Sequence, residues 1–158
     1  MTQCSKAKCL LSTFAVFVFL VAVECVLHHC PWLHNLYMQT GAVWRPVPDI
    51  EAMAPWIFGH YAVLSFVIVC LYKKLAKAPM TSTCAVSGEV KKCCPIARGL
   101  CFGLAVGLLM GVMKTDVYPY LPIPLELATA WFASCVVEGL GIGLILAFIY
   151  KPKPDAAA

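Results

Sequence analysis

The sequence predicts an all-α integral membrane protein: a four-helix bundle with both termini cytoplasmic. Three observations carry that expectation. The 158 residues are 61% hydrophobic and 13% charged, with a mean hydropathy of +0.83. That is too apolar for a domain with its surface in water. Four stretches, at 10–29, 53–72, 96–117 and 124–150, reach the roughly 20 apolar residues a spanning helix needs. Of the twelve Lys and Arg residues, only Arg45 and Lys114 fall on one side of such a bundle. The others precede the first stretch, lie between the second and third or, as Arg98 does, at the start of the third, or follow the fourth, so the positive-inside rule places those regions in the cytoplasm. The same rule accounts for the net charge of +4, which is therefore no argument for a nucleic-acid partner. The four spans use most of the chain, leaving a single membrane domain across 1–158.

The first stretch follows Lys6 and Lys8, as a signal peptide would. Its apolar run is long, Glu24 interrupts its end and no A-x-A-like site follows, so it reads as an uncleaved helix. The connection at 30–52 carries Trp32, Tyr37, Trp44, Arg45 and three prolines. Such aromatic content suits a segment lying on the membrane or capping the bundle on its outer side. Trp44 and Arg45 are its candidate residues. Arg45 is expected to pair with Asp49 or Glu51, stack on Trp44 or meet a lipid phosphate.

The connection at 73–95 is polar and basic, with Pro79 and Gly88, and reads as a flexible cytoplasmic linker. The tail from Pro152 reads as frayed. Pro46-Val-Pro48, Trp56 and Leu71-Tyr72-Lys73 are echoed by Pro122-Ile-Pro124, Trp131 and Ile149-Tyr150-Lys151. This plan is compatible with a 2+2 internal repeat, although two helices running the same way would share it anyway.

The third stretch places Gly99, Gly103, Gly107 and Gly111 at i, i+4 spacing, and the fourth repeats it at Gly139 and Gly143. In water each glycine weakens a helix by about 1 kcal/mol relative to alanine. In lipid the same spacing makes a groove that admits another helix backbone. The expected mates are these two helices; association of two chains is the alternative.

Charged groups within spans are costly and are candidates for function. Glu138 is the strongest, near the middle of the fourth span. It reads either as a proton- or cation-handling carboxyl or as a neutral acid bonded between helices. Glu24 shares a helix face with His28. Glu126, in a first helical turn, complements the helix dipole. Lys114 and Asp116, two apart, do not face each other.

His28, His29, Cys30 and His34 cluster after the first span, and His60 lies early in the second. These are possible ligands for a metal or haem iron. Their spacing matches no zinc pattern, and neighbouring His28 and His29 would point roughly 100° apart on a helix. His60 with His28 or His29 is the only plausible axial pairing. The ten cysteines contain no C-x-x-C pair and mostly read as small apolar fillers. Vicinal Cys93 and Cys94, beside Lys91 and Lys92, are a weak soft-metal candidate.

From His28 through Tyr37, Trp44-Arg45-Pro46 and Met53, the glycine-rich third helix, Pro122-Ile-Pro124, Trp131 and Ile149-Tyr-Lys-Pro152, the chain resembles small, uncharacterised bacterial four-span membrane proteins. The resemblance implies a bacterial inner-membrane setting and brings no activity. Its cysteine-rich ends depart from that pattern.

No phosphate-binding loop, Ser/His/Asp arrangement or H-E-x-x-H motif occurs. The leading expectation is therefore non-enzymatic: a structural or accessory membrane protein in contact with lipid, as a subunit of a larger complex or a homo-oligomer. A small proton- or ion-coupled transporter using Glu138, with Glu24 and His60 nearer the outer mouth, is the second. A haem- or metal-binding redox protein using the outer histidines is the third. The residues name no cofactor and no substrate.

Overall fold

Runs of apolar side chains form helices in lipid because only a helix satisfies its own backbone N–H and C=O groups there. The computed structural model of the chain describes residues 6–76, 81–83, 90–92 and 94–150. It contains α1 (Lys6–His29), α2 (Pro31–Gln39), a 3-10 turn (Gly41–Val43), α3 (Val47–Ala52), α4 (Ala54–Ala76), α5 (Pro95–Thr115) and α6 (Leu125–Ile149). Four of these, α1, α4, α5 and α6, are long and apolar enough to cross a bilayer, making this a multi-pass membrane protein. Side chains such as Leu10, Phe14, Val63, Leu109 and Met113 stand exposed on their outer faces, as contact with lipid requires.

The connections differ from simple loops. The 30–52 segment folds into two short helices and a 3-10 turn. Pro31 opens α2, where its fixed φ suits a first helical turn and its missing N–H costs nothing. Helix α4 continues past the polar boundary to Ala76, with Lys73 and Lys74 in its last turn, where cations complement the helix dipole. Within 73–95, Thr81–Thr83 (β1) and Val90–Lys92 (β2) pair antiparallel, Thr81 opposite Lys92. Cys93 of the vicinal cysteine pair, Lys77, Pro79, Gly88 and the tail from 151 lie outside the described residues.

The four long helices alternate in direction. Helix α1 lies between α4 and α6, and α5 packs on α6. The α5–α6 seam runs through the glycines. A Cβ placed on Gly103 would strike the Gly139 carbonyl, and one on Gly139 would strike the Gly103 carbonyl. Gly99 and Gly143 stand in the same reciprocal relation. Farther along, a Cβ on Gly107 would lie 2.7 Å from the Cys135 carbonyl oxygen, and one on Gly111 2.8 Å from Phe132 Cδ2. Between helices in lipid, close packing replaces the hydrophobic effect as the source of adhesion, and only glycine permits this approach.

Two apolar clusters hold the remaining helices. Val16 and Leu20 of α1, Ile68, Val69 and Tyr72 of α4, and Ile142 and Leu146 of α6 form one. Tyr72 packs edge-on against Phe102 of α5, with centroids 5.1 Å apart, and lies 5.8 Å from Tyr150. The Tyr150 hydroxyl shares a 3.0 Å hydrogen bond with Ser12. These contacts define one end of the bundle. At the other, Leu33 of α2 packs with Ile123, Leu127, Ala128 and Trp131. Buried hydroxyls turn back on their own helices, Ser65 to the Tyr61 carbonyl at 2.7 Å and Ser134 to the Trp131 carbonyl at 2.8 Å, which spares them an unmet bond in an apolar interior.

The echoed halves are placed differently. Pro46 caps α3, and Met53 separates α3 from α4, whereas Pro124 leads straight into α6. Trp56 is 72% exposed and Trp131 only 8%.

Candidate functional site

Antiparallel packing brings the last turns of α1 and α5 beside the first turns of α6, under the lid made by α2. Lys114 thereby meets Glu24: its Nζ donates to Glu24 Oε1 at 2.9 Å. The Glu24 side chain is 12% exposed and that of Lys114 35%. His28, one helical turn beyond Glu24, donates from Nδ1 to the Glu24 backbone carbonyl at 2.9 Å, leaving Nε2 as the ring's acceptor in that tautomer. The same Nδ1 lies 3.4 Å from Glu24 Oε2. Tyr61 of α4 lies within electrostatic reach of Glu24, so α1, α4 and α5 all place a side chain near this carboxylate.

Glu138 lies deeper. It is 1% exposed, and its Oε1 has no hydrogen-bond partner among the described residues. Both members of the Glu24–Lys114 pair lie within electrostatic reach of it. The adjoining Gly139 sits in the α5–α6 seam, which fixes the backbone that carries this acid.

An aromatic group closes the end of the site. The Trp131 indole N–H donates to the Tyr37 hydroxyl at 2.7 Å. Trp44 stands edge-on to both rings, at 5.4 Å from Tyr37 and 5.9 Å from Trp131. Its own N–H donates to Thr40 at 2.8 Å. The His28 ring stacks on Tyr37 at 5.6 Å and 14°. Burial pushes the Tyr37 phenol above its ordinary pKa, and the bond from Trp131 opposes that shift. A pocket of about 540 Å³ opens beneath these rings, between α1, α2 and α6, with Glu24, His28, Lys114 and Tyr37 on its polar wall.

The other sequence candidates are distributed differently. His29 donates to the Cys25 carbonyl at 2.7 Å and is exposed. His34 is exposed on α2, and His60 is exposed on α4 with its ring against Tyr61. Cys30 borders the pocket. Among the described residues no group of three or more His, Cys, Asp or Glu gathers as a metal site. Among the described residues no ion pair joins Arg45 to Asp49 or Glu51. Arg45 is exposed, and the ion pairs at this end converge on Glu24 instead. The loop is held by the Trp44–Thr40 and aromatic contacts, which need no charge.

Sequence reasoning missed the Glu24–Lys114 bridge and the Trp131–Tyr37 bond. The available signal was topological: all four residues fall at the same end of an alternating bundle, and each needs a polar partner in an apolar setting. Comparison with protein-family models, with curated proteins and with solved structures finds no match to this chain.

Proposed function

We propose that this chain is a small proton- or cation-handling protein of the bacterial inner membrane, a coupled transporter in which Glu138 is the working carboxyl. The observation that carries the reading is the unpartnered Oε1 of a side chain that is 1% exposed within a spanning helix. Buried polar atoms in a folded interior nearly always have a hydrogen-bond partner, so one without calls for a role; uptake and release of a proton or cation at Glu138 supplies one. The Glu24–Lys114 pair lies toward the aromatic end and supplies polar groups between Glu138 and that end.

Both termini lie in the cytoplasm in this reading, and the aromatic end faces outward, because the basic residues concentrate at the opposite end. The inner-membrane setting rests on the motif resemblance. Four spans enclose little room for a pathway, so the working unit is a homo-oligomer.

The test is proton flux into proteoliposomes loaded with a pH-sensitive dye and driven by a potassium diffusion potential. Flux that Glu138→Gln abolishes supports the reading. Equal flux in both proteins overturns it. No flux in either, with fixed partner proteins co-purifying, assigns the chain an accessory role.

A further inference from the structure

The pocket beneath the aromatic group has features that select a ligand class independently of Glu138. Its volume of about 540 Å³ falls within the range of small-molecule sites. Its walls are largely apolar, with Val23, Leu27, Ala133 and Val137 among the lining residues and Trp32 and Trp131 toward the end of the bundle. Ala133 and Val137 are exposed on α6, so a molecule dissolved in the bilayer reaches the pocket sideways between α1 and α6.

The charges on the polar wall cancel. Glu24 disfavours an anion, and the Lys114 ammonium beside it disfavours a cation, so the preferred headgroup is neutral. Hydrogen-bond capacity then selects among neutral heads. The Lys114 ammonium has three N–H donors and uses one on Glu24. The Tyr37 hydroxyl accepts from Trp131, leaving its own hydrogen to donate. Both residues line the pocket. Two separate donors, one from α5 and one from α2, suit a head carrying two carbonyl oxygens, and the indole of Trp131 offers a face or edge against which a flat ring packs.

We propose that this pocket binds a lipid-soluble molecule with a flat, neutral, dicarbonyl ring of the quinone class. The ring lies by Trp131 with its oxygens toward Lys114 and Tyr37, and its apolar tail passes between α1 and α6 into lipid.

The test titrates the purified chain, in phosphatidylcholine nanodiscs, with a decyl-substituted benzoquinone and follows tryptophan emission. Decylbenzene, which has the tail and ring without the carbonyls, is the competitor. Saturable quenching that decylbenzene does not displace is expected. Ala133→Phe fills the pocket from the lipid-exposed side of α6, so the core is left intact, and it is expected to weaken binding at least tenfold. The double variant Glu24→Gln/Lys114→Met removes the pair without stranding either charge and is expected to weaken binding similarly. Glu138→Gln leaves binding unchanged, so loss of proton flux and loss of quinone binding are separately readable. Quenching identical in the parent and Ala133→Phe proteins overturns the proposal. So does equal displacement by decylbenzene, which would mark a pocket that holds only hydrocarbon tails.

Discussion

Lys114 Nζ lies 2.9 Å from Glu24 Oε1 across 90 residues of sequence, tying the end of α5 to the end of α1. The bond matters because α5 otherwise packs chiefly on α6. An ion pair withdrawn from water gains little over an apolar pair of the same shape, but removing one partner strands the other.

Lys114→Met therefore leaves the Glu24 carboxylate, 12% exposed, without its cation, and is expected to cost about 3 kcal/mol. Glu24→Gln/Lys114→Met should recover most of that loss. Equilibrium unfolding in mild detergent, read as a double-mutant cycle, checks this. If the two single losses simply add, the residues are not coupled.

Trp131→Phe keeps an aromatic ring but removes the N–H that donates to Tyr37 at 2.7 Å. The expected loss is about 1 kcal/mol, the net worth of one such bond. The Tyr37 hydroxyl can turn to another partner, so the effect should be concentrated in the docking of α2. Faster amide hydrogen exchange across Pro31–Gln39, with α5 and α6 unchanged, is the expected signature.

Tyr37 also supplies a pH dependence with a definite sign. Burial holds its phenol above the ordinary value of 10.0 in the folded protein. The unfolded chain therefore releases this proton first as pH rises. The contribution to stability is complete below about pH 10 and falls as pH climbs through the folded-state value. Unfolding midpoints measured from about pH 8 to pH 11 should decline more steeply in the parent than in Tyr37→Phe. Parallel curves would remove Tyr37 as the source.

How much of this was legible beforehand depends on the range of the signal. The spans are local: twenty apolar residues announce themselves, and α1, α4, α5 and α6 stand within a few residues of the apolar stretches, apart from the extra turns on α1 and α4. The i, i+4 glycines are local too, and their spacing alone indicates a face that a helix can approach. Glu24 was different. Its helix-face neighbour is His28, whereas Asp116, two residues from Lys114, does not face it, so local reading gives Glu24 a companion and Lys114 none, and the bridge between them has no local signal. Tyr37 and Trp131 were hidden in the same way. Aromatic residues near a membrane boundary already have a sufficient reason to be there, and nothing in either stretch signals that two of them share a hydrogen bond. The short helices of 30–52 were obscured by prolines, which mark helix starts as readily as loops.

Substitution at three glycines separates close backbone contact from simple crowding. A methyl at Gly103 meets the Gly139 carbonyl, which belongs to a helix backbone and cannot rotate away. Gly103→Ala must therefore push α5 from α6 and is expected to cost about 1–3 kcal/mol. A methyl at Gly141 meets the ring of Phe19 on α1. That side chain borders the lipid-facing surface and can swing aside, so Gly141→Ala should cost less. Gly59, on α4, has nothing within 4 Å of an added Cβ. There alanine improves helix propensity by up to about 1 kcal/mol, and Gly59→Ala should be neutral or mildly stabilising. Unfolding in mild detergent ranks the three. Near-equal effects at Gly103 and Gly59 would mean that the α5–α6 approach contributes little to holding the bundle together.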